Sequence, residues 1–179
     1  MSQNQPNCAS ASTDQHRQAA PKVLLLAILT VSDTRTLETD KSGLFLQQSM
    51  DSAGHKVVSR AIVKDVIEQI RGAIRQLASN EFLDAILLTG GTGLSPRDVT
   101  PEAVAPLLDA EIPGFGELFR MLSYQEIGAA SMLSRAIAGR MGKLLIFCLP
   151  GSTNAVRLAA EKLLVPELPH LVHHSRNPT

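Results

Sequence analysis

The sequence predicts an α/β domain, a three-layer fold with a mainly parallel sheet and helices on both faces. Three observations lead there. Apolar runs of strand length recur, as at residues 23–31 and 144–149, and unbroken runs of this kind mark strands buried on both faces of a parallel sheet. Stretches of helical length separate them. Each apolar run ends in a polar or glycine-bearing turn, and strands alternating with helices imply parallel crossovers.

Taken in order, residues 1–20 are polar and read as a disordered tail. Residues 23–31 form the first strand, closed by Ser32-Asp33-Thr34-Arg35. Ser42 caps a helix to about Ser52, which Gly54 ends. Residues 55–63 alternate and are rich in Val and Ile, a second strand. Asp65 opens a helix to about Leu77. Residues 85–88 are a third buried strand, running into Thr89-Gly90-Gly91. Thr100-Pro101 starts another helix, since proline suits the first helical position. Pro113-Gly114 breaks the chain, and helices are expected at about 115–124 and 129–139. Residues 144–149 are the fourth strand, and Pro150-Gly151-Ser152 turns into a last helix over 153–164. From Pro166 the chain is rich in proline and histidine and is expected to lie along the surface. The organisation expected is a tail at 1–20, one domain over 21–172 and a flexible tail at 173–179.

Composition narrows the function. The 179 residues, 44% of them hydrophobic, suit one domain with a full core. Lys plus Arg equals Asp plus Glu at 17 each, so the basic excess of a nucleic-acid or anionic-membrane binder is missing. An anion site must then be local. No apolar stretch nears the roughly 20 residues of a membrane span, and the N-terminal residues lack the apolar core of a signal peptide. Cys8 and Cys148 make a poor disulfide pair, which favours a reduced, cytoplasmic setting. Flanked by Ile146, Phe147 and Leu149, Cys148 reads as a buried, inert thiol. His170, His173 and His174 lack the cysteine and carboxylate company of a metal site, apart from Glu167.

Ligands of open parallel sheets bind outside the carboxyl ends of the strands. Four groups belong to that rim: Ser32-Asp33-Thr34, Lys64-Asp65, Gly90-Gly91-Thr92-Gly93 and Pro150-Gly151-Ser152. Together they read as a site for a phosphorylated ligand and a metal ion. Glycines let backbone N–H groups approach phosphate oxygens closely. The loop is not a Walker A motif, since it lacks the Gly-Lys-Ser/Thr ending. It is not a dinucleotide fingerprint either, since Pro96 stands where the third glycine belongs. Arg97 is a phosphate contact or a solvated charge. Asp98 is a helix cap or a ligand for Mg²⁺, which prefers oxygen donors and keeps substrate phosphates in its shell. Asp65 fits a capping box with Glu68, or a site residue by its place on the rim. Asp33 is likewise a turn-former or a rim residue. Ser152 is a cap, or it opens a helix whose free amides bind phosphate.

The run from Leu88 through Gly90-Gly91-Thr92-Gly93 and Ser95-Pro96-Arg97-Asp98 to Thr100-Pro101-Glu102-Ala103 resembles the signature of the MoaB/Mog family of molybdenum cofactor biosynthesis. Glu111-Ile112-Pro113-Gly114-Phe115-Gly116-Glu117, Leu133-Ser134-Arg135-Ala136 and Leu149-Pro150-Gly151-Ser152-Thr153 are similar to the family as well. The resemblance spans nearly all of residues 22–172 and lies closer to the MoaB branch. It implies the molybdopterin-binding, MogA-like fold. It also implies molybdopterin as substrate, ATP as co-substrate, Mg²⁺ as cofactor, and transfer of AMP to the molybdopterin phosphate. The family's two functional aspartates fall on Asp65 and Asp98, the latter also the expected Mg²⁺ ligand. Gly90, Gly91, Thr92, Gly93 and Ser152 match ligand-contacting regions; Ser32, Asp33, Arg97, Pro150 and Gly151 join them on the rim, with Lys64 a weaker candidate. A homo-oligomer is implied, a trimer or a dimer of trimers, with the 113–140 segment at its interface. After Pro150-Gly151 the chain departs from the Mog-type pattern. A non-catalytic molybdopterin carrier on the same fold is therefore the second reading.

Overall fold

The structure, a computed structural model, describes residues 20–176. The tail expected over 1–20 falls outside the described residues except for Ala20, as do Cys8 and residues 177–179. Within the described residues six strands form one sheet: β1 (Leu25–Val31), β2 (Lys56–Val63), β3 (Ala85–Thr89), β4 (Ala110–Glu111), β5 (Ile137–Met141) and β6 (Leu144–Leu149). Their order is β2-β1-β3-β6-β5-β4. The first four are parallel, and β5 and β4 add on antiparallel to their neighbours. The expected three-layer α/β fold with a mainly parallel sheet is thus borne out.

Among the described residues six α-helices pack on the sheet: α1 (Lys41–Ser52), α2 (Ile67–Ala78), α3 (Thr100–Val104), α4 (Pro113–Ile127), α5 (Thr153–Ala159) and α6 (Val165–Arg176). Alternation along each strand sorts them into two layers. Leu26 and Ile28 of β1 point into a core with Leu46 and Met50 of α1, Phe115 and Phe119 of α4, Val156 of α5 and Leu168 of α6. Ala27 and Leu29 point the other way, towards Ile70 and Ile74 of α2 and Val104 of α3. Each of the large, fully buried side chains among them contributes about 1.5–3 kcal/mol of burial free energy, so both layers are held firmly. α1 crosses on one face to β2 and α2 returns on the other to β3. The crevice between the carboxyl ends of β1 and β3 is therefore a topological switch point, where ligands of such sheets bind.

Several expectations are corrected. The helix expected over 129–139 exists only in part: Gly128, at φ 62°, ends α4, a 3₁₀ helix spans Gly128–Leu133, and β5 takes the place of the rest. Small residues explain the strand. A Cβ on Gly139 would stand 2.6 Å from the carbonyl oxygen of Ala110, so only glycine lets β4 approach. The short β4 itself carries no sequence signal. Beyond residue 164 the chain does not lie extended on the surface. A π-helical turn at Ala160–Leu164 leads straight into α6, which seats Leu168 and Val172 in the core and continues past residue 172 to Arg176. Burial of those two residues outweighs the one helical hydrogen bond lost at Pro169. The cap of α1 is Asp40, whose carboxylate accepts from the Gly43 N–H at 2.9 Å, rather than Ser42. Nor does Asp65 cap α2: Val66 holds that place without a side-chain bond.

Candidate functional site

The four predicted rim groups do converge. Parallel pairing of β2, β1, β3 and β6 puts Lys64-Asp65, Ser32-Asp33, Gly90-Gly91 and Pro150-Gly151 at one edge of the sheet. Between the last two loops and α4 lies a cavity of about 390 Å³. Gly90, Gly91, Thr92, Gly93, Asp98, Pro150, Gly151 and Ser152 line it on the rim side. Phe119, Ser123 and Ile127 of α4, with Ala130, Ser131 and Leu133, form the opposite wall. Phe115 meets Phe147 of β6 edge-on at 5.2 Å between ring centres, which fixes α4 on the sheet. The cavity thus has one polar, amide-bearing wall and one largely apolar wall, suited to a heterocycle carrying a phosphate.

The glycine loop is built by close approach. Gly90 has φ 102°, and a Cβ there would collide with the carbonyl oxygen of Val31. Its N–H donates to the Leu149 carbonyl at 3.0 Å, while its own carbonyl accepts from the Thr100 hydroxyl at 2.9 Å. Gly91, at φ 63°, faces both the Thr100 hydroxyl and the Asp65 carboxylate. No residue with a side chain fits either position without moving these groups. Ser152 caps α5, accepting from the Ala155 N–H at 3.3 Å, and so satisfies its capping reading while also lining the cavity.

The carboxylates surround the loop rather than one another. The Asp98 side chain curls beneath Gly93, its Oδ2 taking the Ser95 N–H at 3.2 Å. Asp65 lies behind Gly91 and accepts from the Val99 N–H at 3.1 Å. Burial raises the Asp65 carboxyl above its ordinary value of 3.8; the charges of Asp98 and Asp33 push the same way, against the Val99 hydrogen bond and Arg135. Asp33 accepts from the Asp65 N–H at 3.3 Å and pairs with Arg97 at 2.9 Å. Neither Arg97, 80% exposed, nor Asp33 and Ser32 reach the main cavity. The last two line a separate depression with Arg35, Arg60 and Lys64. Among the described residues, no three His, Cys, Asp or Glu side chains gather as a metal cage.

Two arginines that carry no role in the sequence analysis support the loops. Arg35 donates to the Gly151 carbonyl at 3.0 Å, which the Ser42 hydroxyl also reaches at 2.9 Å. Arg135 donates to the carbonyl of Gly93 at 2.9 Å and of Asp98 at 2.6 Å, and pairs with Glu102. Each sits within a marked stretch of sequence, Arg35 in the first rim turn and Arg135 beside Ser134, but nothing in spacing tells a buttress from a solvated charge. Thr100 is legible only as a helix start. Burial raises the Cys148 thiol far above its ordinary range, which keeps it protonated and inert, as expected. His170 contacts both Glu167, at 3.1 Å, and His174, at 3.0 Å. No helix among the described residues is long and apolar enough to cross a membrane.

Comparison with known proteins agrees with this geometry. Residues 27–170 match the family model described as "Probable molybdopterin binding domain". The chain is 53% identical over 161 residues to molybdenum cofactor biosynthesis protein B of Bacillus cereus, covering 89% of this chain and 95% of the relative. Against the protein of that name from Escherichia coli it is 49% identical over 143 residues, covering 80% and 84%. Among solved structures, a molybdenum cofactor biosynthesis protein B superposes with a TM-score of 0.85 at 54% identity, covering 88% of this chain and 98% of that one. The tungsten cofactor synthesizing protein MoaB of Pyrococcus furiosus superposes at 0.78 with 37% identity, covering 88% and 100%. The chain belongs to the molybdenum cofactor biosynthesis protein B family and carries its molybdopterin-binding domain.

Proposed function

We propose that this chain binds molybdopterin in the cavity between the glycine loop and α4 and transfers AMP to it from Mg-ATP. The observation that carries the proposal is the pairing of an amide loop, Gly90–Gly93, with two carboxylates packed against it, Asp65 and Asp98. A pure binding loop needs the amides. Two like charges beside an anion site are a cost unless a cation is recruited there.

In the proposed step an oxygen of the molybdopterin phosphate attacks the α-phosphorus of ATP. The new P–O bond forms as the bond to the β-phosphate bridging oxygen breaks, and pyrophosphate leaves with that electron pair. The attacking phosphate is already ionised, so no general base is required. The task of the protein is alignment and charge neutralisation. Loop amides of Gly91–Gly93 and the opening of α5 at Ser152 hold phosphate oxygens. The apolar wall of Phe119, Ile127 and Leu133 receives the ring system and excludes water. Oxygen donors at Asp98 and Asp65 fit Mg²⁺ arriving with the nucleotide, because that ion takes one or two carboxylates and keeps phosphates and water in its shell. When bound, Mg²⁺ neutralises charge on the transferring and leaving phosphates. Ser32, Asp33 and Arg97 mark the side from which the nucleotide approaches, near Lys64. The proposed setting is the cytoplasm, in keeping with the free thiol of Cys148. We also place a homo-oligomer contact on the 113–140 segment, where Leu118, Met121 and Tyr124 are exposed.

Incubation with molybdopterin and Mg-ATP tests the reading. Adenylyl-molybdopterin and pyrophosphate are the expected products. Tight pterin binding without either product would leave the carrier reading in its place.

A further inference from the structure

Arg135 does not line the cavity. It lines two other depressions, one with Pro96 and Glu102 and one with Gly116 at the start of α4. From there its guanidinium reaches both ends of the loop segment that carries the carboxylate: the carbonyl of Gly93 at 2.9 Å and that of Asp98 at 2.6 Å. A third branch pairs with Glu102 in α3. A planar fork with several fixed donors can hold three acceptors at once, which the single ammonium of a lysine cannot do in the same geometry. Backbone carbonyls turned towards an anionic ligand would repel it. Held by Arg135, which does not line the cavity, they are engaged away from it, while the loop and Asp98 line it. Arg135 also comes directly after Ser131, Leu133 and Ser134 of the opposite wall, so one side chain ties the two walls together.

We propose that Arg135 is a positioning residue for AMP transfer, fixing the Gly93–Asp98 segment in the one conformation that aligns the phosphates; this rests on the adenylyl-transfer reading above. It touches neither substrate. Its loss acts on alignment, where displacement of about 1 Å costs on the order of 100-fold in rate.

The test compares Arg135→Ala and Arg135→Lys with the wild type, each as the full chain. The kcat for adenylyl-molybdopterin formation is expected to fall about 100-fold in Arg135→Ala, with a much smaller change in KM for molybdopterin. Added guanidinium ion should restore part of it. Hydrogen exchange in the 93–98 segment should quicken in both variants while the strands stay protected. Glu102→Gln keeps both carbonyl bonds and should lose far less. If Arg135→Ala fails to fold, Arg135→Lys carries the comparison. Unchanged exchange across 93–98, or a Glu102→Gln loss as large as that of Arg135→Ala, overturns the proposal. A wild type that makes no product defeats the adenylyl-transfer reading alone; exchange in the molybdopterin-bound protein then still decides whether Arg135 holds the loop.

Discussion

The Cβ position of Gly91 stands 2.7 Å from Oδ2 of Asp65, and closer still to the hydroxyl of Thr100. Three rim elements therefore meet at a point where only a hydrogen atom fits. Gly91→Ala must shift the Asp65 carboxylate and also strain a backbone at φ 63°. The expected cost is about 2–6 kcal/mol of stability, from the left-handed backbone and the overpacking together. Urea unfolding checks that figure. Molybdopterin titration of the same variant should show weakened binding even where the protein remains folded.

Asp98 should be separable from binding. Asn at this position keeps an oxygen for the Ser95 N–H and hence the loop shape. Turnover in Asp98→Asn is expected to fall by at least about 100-fold, as for lost transition-state charge stabilisation, with the molybdopterin dissociation constant little changed. Single-turnover product formation beside a binding titration distinguishes the two. Normal turnover would remove Asp98 from the mechanism.

Asp65 makes stability depend on pH. Its carboxyl is raised above 3.8 by burial and by neighbouring negative charge, so the folded state holds the proton more tightly than the unfolded chain. Stability from this group is therefore greatest below the ordinary carboxylate value. It declines as pH rises through the raised folded value, and stays lower above it. Asp65→Asn should be more stable than the wild type at neutral pH, and that advantage should vanish in acid. Urea midpoints for both proteins across the acid range measure the difference. A constant offset at every pH would contradict the assignment. Activity that needs the ionised carboxylate should show an acid limb above 3.8.

The exposed apolar residues Leu118, Met121 and Tyr124 recur at intervals of three along α4, which places them on one side of the helix. If this side joins copies of the chain, Met121→Glu should shift the protein towards the monomer. Light scattering coupled to gel filtration reads the mass directly. An unchanged mass would move the interface elsewhere.

Much of the architecture can be read from the chain because parallel sheets leave a strong imprint. In β1, β3 and β6 threonine is the one polar residue type, and the turn after each of them, like the turn after β2, lies on the rim by topology alone. The glycine loop, Asp65, Asp98 and Ser152 are legible for that reason. Where the signal fails, two features compete. Residues 129–139 look helical because Ala136, Ala138 and Gly139 carry little strand preference; the close approach of β4 makes small residues necessary. The chain after Pro166 looks irregular because prolines read as breakers, whereas Leu168 and Val172 sit one turn apart on the buried side of α6. Arg35 and Arg135 are invisible as buttresses, since their partners are backbone carbonyls far away along the chain. Ser42 and Asp40 compete for the cap because both stand at the start of the same helix; the Thr30 hydroxyl, bonding Asp40 at 2.7 Å, decides between them.

The position of β6 between β3 and β5 has a consequence for biosynthesis of the protein. As the chain leaves the ribosome, β3 and its glycine loop appear about 55 residues before the strand that completes them, several seconds at ordinary elongation rates of about 5–20 residues per second. Throughout that interval the edge of β3 formed by Ile86, Leu87 and Leu88 lacks the β6 residues it pairs with. The Gly90 N–H, whose acceptor is Leu149, is likewise unpaired. A nascent chain stalled before residue 144 would carry an open apolar strand edge suited to chaperone capture or to pairing with another chain. Only when β6 docks are that edge closed and the phosphate cradle shaped, so competence for the ligand and resistance to aggregation arrive together.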